Sequence, residues 1–255
     1  MRFDRVSILG LGHVDAPIRM PSEEFEAQLA PTLERLGIPP GMLQHTAGIE
    51  ARHWWDEETQ PSDAATMAAE KVIEQTGIDR NRIGVIINSS VCRDYIEPST
   101  ACLVHGKLGL PAHCLNFDVG NACLAFMNAM DLAGMMIERG QVEYALVVDG
   151  ESSRFVQQST LDRLNGPGIT MEDFRAEFAT LTLGSAGVAM LLGPTTGEAG
   201  EHRYLGSVQV AATEWNGLCK GQVDQMRTDT RTLLAEGVRL AHKTYQMAAD
   251  VFEWT

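Results

Sequence analysis

Residues 123–139 read as a helix with almost no polar face, and that constrains the fold more than any other feature. Leu124, Ala125, Phe126, Met127, Ala129, Met130, Leu132, Ala133, Met135, Met136 and Ile137 surround its axis. A helix that is apolar all round is one that is buried all round. In a chain of alternating strands and helices, this predicts a helix held between two sheets rather than lying on one. Its methionines read as core filling. A strand at 115–119 and the turn Gly120-Asn121-Ala122 precede it, and Gly140 and a strand at 144–148 follow it.

The rest of the chain repeats this alternation, which predicts an α/β fold with much parallel sheet. Short apolar runs predict strands at 6–11, 83–88, 182–192 and 204–211. Capping residues and apolar spacing predict helices at 21–36 and 62–76, another after Ser99, and a long amphipathic one at 229–252. Residues 151–180 read as an insertion of short helical pieces interrupted by Asn165-Gly166-Pro167-Gly168. The run GPTTGEAGE from residue 193 reads as a linker.

A formal charge of −14 disfavours nucleic acid or an anionic membrane surface as the main partner. No apolar window is long enough to span a membrane, and the first residues lack the pattern of a secretory leader. The five cysteines form no C-x-x-C pair, so a disulfide framework or zinc ribbon is not expected and a reducing, cytoplasmic setting is. Gly10-Leu11-Gly12 lacks the third glycine and the helix of a dinucleotide loop. Zincin, P-loop and serine-elbow motifs do not occur.

Cys123 stands apart from the other four by position. It follows a strand and a tight turn and opens the apolar helix, where partial positive charge and helix N–H groups favour a nucleophilic sulfur. The same N–H groups can steady an oxyanion forming on a substrate held next to the sulfur. Position alone leaves a small buried core residue as the alternative.

The segment FDVGNACLAF at 117–126 resembles the nucleophile signature of the 3-oxoacyl-(acyl carrier protein) synthase III branch of the thiolase superfamily. GIEARH at 48–53, IGVIIN at 83–88 followed by EPSTA at 97–101, and YALVV at 144–148 resemble further motifs of that branch in the same order. RDYIEPST at 93–100 and ATEWN at 212–216 are most similar to the long-chain olefin-biosynthesis thiolases (OleA type). The resemblance implies a thiolase-like αβαβα layered α/β fold. Its first half would span 1–193, a linker 194–203, and the start of an incomplete second half 204–255.

The resemblance also implies an acyltransferase that condenses two fatty acyl-CoA thioesters through an acyl-cysteine on Cys123. Glu97 matches the glutamate that, in those enzymes, reaches across a homodimer as a base. Arg52 matches a segment near the CoA entrance and is a candidate contact to CoA phosphates, although Thr46 stands where synthase III enzymes commonly place an arginine. Trp54 and Trp55 would line that entrance or the core. His105 and His113 match no catalytic histidine of the family and read as surface or packing residues. Coenzyme A enters as part of the substrate, and no metal or redox cofactor is expected. Two alternatives stand beside this one: a decarboxylating synthase III, and a non-catalytic partner subunit. The family's histidine, asparagine and glycine-loop segments have no counterpart here, so a larger catalytic unit, completed by more chain or a second polypeptide, is expected.

Overall fold

The computed structural model describes residues 1–254. In chain order, the first elements are β1 (Val6–Asp15), β2 (Ile18–Pro21), α1 (Ser22–Gln28), α2 (Ala30–Leu36), α3 (Met42–Ala47) and β3 (Ala51–Trp54). Next come α4 (Pro61–Thr76), β4 (Ile83–Asn88), α5 (Thr100–Leu108), β5 (Leu115–Asp118), α6 (Ala125–Glu138) and β6 (Tyr144–Glu151). The last are α7 (Arg154–Leu164), α8 (Met171–Glu177), β7 (Ala186–Pro194), β8 (His202–Arg203), β9 (Cys219–Gly221), β10 (Met226–Thr228) and α9 (Thr230–Phe252). No helix among the described residues is long and apolar enough to cross a membrane.

One compact unit comprises Met1–Ala16, Asp56–Ser152 and Ala186–Ser207. Its six-stranded sheet has the order β5-β4-β6-β7-β1-β8. Only β5, β4 and β6 are mutually parallel, and the other pairings are antiparallel. The sheet is therefore mixed rather than mainly parallel. Helices α5 and α6 return the chain to the edge where strands start, whereas β7 begins where β6 ends, with Glu151 opposite Ala186.

Alternation along the strands supplies two apolar faces. Ile86, Leu146, Val148, Ala189 and Leu191 pack with α4 and α5, while Val85, Ile87, Ala145, Val147 and Leu192 pack with α6. Helix α4 presents a buried alanine stripe and lies very close to the sheet. A Cβ built on Gly150 would fall 1.9 Å from the Pro61 carbonyl oxygen, and one on Gly187 2.1 Å from that of Ala64. Only glycine admits this approach.

Helix α6 buries Ala125, Ala129, Ala133 and Ile137, but Leu124 just before it, Met127 and Met135 stay exposed. These residues leave part of its second side exposed, where its composition predicts burial. The expected strand at 204–211 does not form. His202–Arg203 pairs with β1 instead, inside the expected linker, as does Pro194 at the end of β7. The Tyr204 N–H then bonds the Val6 carbonyl, and 207–212 follow without a strand.

The second unit comprises Pro17–Trp55, Ser153–Ser185 and the chain from Val208 onward. Both units are discontinuous in sequence, a division by packing that differs in kind from the 1–193, 194–203 and 204–255 division by repeat half. The antiparallel pair β2–β3 and helices α1, α2, α7 and α8 enclose Phe25, Leu29, Leu33, Trp54, Leu161, Leu164 and Phe174. The helix expected over 21–36 breaks between α1 and α2, where Pro31 removes a donor and fits only a first turn. Helix α9 forms as its amphipathic pattern predicts and has no buried residue; Thr255 lies outside the described residues.

Candidate active site

Parallel strands β4 and β5 end level, Asn88 being paired with Asp118 and with Val148 of β6, which runs on to Glu151. Open α/β sheets bind ligands beyond the carboxyl ends of such strands. The Val119 N–H donates to the Asn88 carbonyl at 2.8 Å and the Ser89 N–H to that of Val148 at 2.9 Å, continuing the ladder past the strand ends.

Beyond β5, Cys123 sits in the 3-10 turn Ala122–Leu124, which runs directly into α6. Ala122 adopts a φ of 45°, a left-handed conformation that costs a residue with a Cβ roughly 1–3 kcal/mol. Strain of this kind holds a side chain in place only when its surroundings fix it. The Asn121 Nδ2 donates to Asn128 Oδ1 at 2.7 Å, tying the turn to the helix. The Arg93 guanidinium lies over the same turn, since a Cβ on Gly120 would sit 3.8 Å from its Nη2. The Cys123 side chain is exposed.

Burial separates it from two other cysteines. The Cys92 thiol donates to the Ser152 carbonyl at 3.2 Å, and burial followed by the Glu151 charge pushes its pKa up to about 12. Burial pushes Cys114 up to about 11. Both remain protonated thiols at neutral pH. Cys102 and Cys219 are exposed but lie on helix α5 and hairpin strand β9, away from a strand–turn–helix junction.

Beyond β4, residues 89–99 form a loop that carries Glu97. Tyr95, Ile96, Glu97 and Pro98 are exposed, and none of them makes a hydrogen bond among the described residues. At the carboxyl end of β6, Asp149 and Glu151 face this loop. The Ser89 hydroxyl donates to Asp149 at 2.9 Å, and the Val91 and Cys92 N–H groups donate to Glu151 at 2.6 and 3.1 Å. Burial, then the neighbouring Glu151 charge, pushes the Asp149 pKa up to about 6, against the opposing Ser89 hydrogen bond. Sequence reasoning passed over both carboxylates. Their signal was an apolar strand, YALVV, that turns acidic at its carboxyl end.

Arg52 has another setting than a phosphate contact requires. It is 4% exposed on β3, its Nη2 donates to Ser22 Oγ at 2.8 Å, and its guanidinium stacks 4.3 Å from the Phe25 ring centroid. Burial lowers its pKa, and its Nε and Nη1 have no partner among the described residues. Trp54 and Trp55 are core residues at 5% and 4% exposure, and the Trp54 indole donates to Gln157. His105, half-buried, and His113, exposed, lie 3.2 Å from the carbonyls of Pro111 and Asn81, in the surface or packing settings expected of them. No group of three or more His, Cys, Asp and Glu side chains is arranged to hold a metal among the described residues.

Comparison with known proteins bears directly on this edge. Residues 117–212 match the family model of 3-oxoacyl-[acyl-carrier-protein] synthase III. An acyl-CoA:acyl-CoA alkyltransferase of Xanthomonas campestris pv. campestris is 51% identical over 254 residues, covering 100% of this chain and 75% of the relative. A cerulenin-bound structure of Xanthomonas campestris OleA matches with a TM-score of 0.97 at 50% identity, over 100% of this chain and 74% of that one. An OleA variant with a cysteine replaced by serine, bound to lauric acid and lauroyl-CoA, matches at 0.95 and 50% identity over 99% and 75%. Variants with a glutamate, a cysteine or a histidine replaced match at 0.96, 0.96 and 0.95.

Proposed function

The chain belongs to the acyl-CoA:acyl-CoA alkyltransferase (OleA) family, and from that premise we propose that it joins two fatty acyl-CoA thioesters by Claisen condensation, the olefin-biosynthesis type of reaction. The observation that carries this reading is Cys123, an exposed thiol on a strained turn at the carboxyl edge of three parallel strands. Spacing supports it. The glutamate and cysteine replaced in the solved OleA variants are separated by the same number of residues as Glu97 and Cys123.

In the first stage, the Cys123 sulfur attacks the thioester carbonyl, CoA leaves as its thiolate, and an acyl-cysteine remains. Helix α6 directs its N-terminal N–H groups and dipole toward the oxyanion of that step. In the second stage, Glu97 takes the α-proton of another acyl-CoA. The resulting carbanion forms a carbon–carbon bond to the acyl carbonyl, the carbon–sulfur bond breaks, and Cys123 is regenerated beside a β-keto thioester. These steps balance without a metal or redox group.

We place Glu97 in the partner's site of a homodimer. Two observations support this: the exposed, unbonded loop tip that bears it, and β5, an edge strand whose Leu115 is 53% exposed. Arg52, buried beside Phe25, is left out of the CoA contacts. A cytoplasmic setting agrees with five free cysteines.

The spacing that aligns Cys123 carries the relative's replaced histidine past residue 255. Turnover is therefore measured on the polypeptide as its gene encodes it. Cys123→Ala is expected to remove both acyl-enzyme and product. Glu97→Gln is expected to keep acyl-enzyme formation and lower condensation by about 10²–10⁴-fold, the usual worth of one acid–base group. Condensation that ignores Glu97 and consumes a malonyl thioester with loss of carbon dioxide would replace this reading with that of a decarboxylating synthase.

A further inference from the structure

We propose that Asp118 and Glu151 are positioning residues that set the loop carrying Glu97, a role that rests on reading Glu97 as the base. The loop leaves β4 at Ser89 and enters α5 at Thr100, and a carboxylate clamps each end. At its start, the Val91 N–H donates to one oxygen of Glu151 at 2.6 Å and the Cys92 N–H to the other at 3.1 Å. At its end, the Thr100 N–H donates to one oxygen of Asp118 at 3.0 Å and the Ala101 N–H to the other at 2.8 Å. Between them, Asp94 accepts from the Ser62 N–H at 2.9 Å and from the Ser62 hydroxyl. After this third anchor only 95–98 remain free, and Glu97 is the ionisable side chain in that span apart from the Tyr95 phenol.

Each clamp is a charged acceptor holding two successive backbone donors, a pattern that fixes direction as well as distance. Asp118 also closes β5, the strand that leads into the Cys123 turn. One carboxylate therefore fixes the end of the loop to the sheet of its own subunit, from which Glu97 is presented to the partner's site. Glu151 performs the same service from β6. Small displacements of a reacting group are costly in rate, so the clamps should matter where Glu97 acts and nowhere else.

The test is a double-mutant cycle on the full natural polypeptide, with lauroyl-CoA as the probe. Asp118→Asn and Glu151→Gln are each made in the parent and in Glu97→Gln. Acyl-enzyme formation is read by intact mass and condensation by product formation. The clamp variants are expected to acylate within about twofold of the parent and to condense about tenfold or more slowly. In the Glu97→Gln background they are expected to cause no further loss. Equal losses in both backgrounds, unchanged condensation, or a matching fall in acylation would overturn the proposal. Glu97→Gln that condenses normally would instead remove the reading of Glu97, and the clamp role with it. Should a clamp variant not fold, Ser62→Ala, which removes the hydroxyl donor to Asp94, is read in the same cycle.

Discussion

Cys123 was legible because its setting is local. A strand, a glycine-started turn and an apolar helix are all visible within a few residues, and the structure keeps that order with a 3-10 turn at the junction. Glu97 was singled out only by resemblance, since an exposed loop carboxylate has no local signature. Asp118 and Glu151 act on backbone N–H groups of a distant segment, which no single-sequence pattern displays. Asp149 offers a test at this scale. Its folded-state pKa of about 6 lies above the ordinary 3.8, so the folded protein holds the extra proton between those values. Stability should therefore fall as pH rises through that window and stay lowered by a constant amount above it. Asp149→Asn keeps the Ser89 contact available and removes the charge. Urea unfolding from pH 4 to pH 8 should show the variant gaining on the parent by on the order of 2 kcal/mol, with the gain complete above about pH 7. Parallel curves would remove the buried-charge account.

Elements were legible where pattern and packing agree. Strand β4 occupies the residues its apolar run predicts, because it is buried on both faces and every position before Asn88 reads apolar or small. Helix α4 stops at Gly77 in the left-handed region as the sequence predicts, but it starts at Pro61 under a Gln60–Asp63 capping box rather than at Ser62. The break between α1 and α2 was missed because the acidic start outweighed Pro31. Glycine distinguishes tight packing from open surface. Gly150→Ala would drive a Cβ into the backbone of α4 and is expected to cost roughly 3 kcal/mol or more in urea unfolding. Gly106→Ala on α5, where a Cβ meets nothing within 4 Å, is expected to stabilise by about 0.5–1 kcal/mol. A Gly150 variant as stable as the parent would contradict the close contact of α4 with β6.

At the scale of the whole molecule, the apolar helix at 123–139 predicted burial between two sheets, and the thiolase-like fold came only from the resemblance of the ordered motifs. Its two sides have different fates. One packs on the mixed sheet, while Leu124, Met127 and Met135 keep the other side's apolar surface exposed. The mixture of strand directions was not legible, because parallel and antiparallel central strands share the same apolar runs. Family membership agrees with the ordered motifs, and the parallel edge of the sheet gathers the turn of Cys123, the loop that carries Glu97 and the carboxylates that accept its backbone N–H groups. The central claim is that Cys123 carries the acyl group, and intact mass with peptide mapping after incubation with lauroyl-CoA tests it most directly. The account predicts a single lauroyl adduct on Cys123 that is absent from Cys123→Ala. An adduct that persists in that variant, or no adduct on the parent polypeptide, would contradict it.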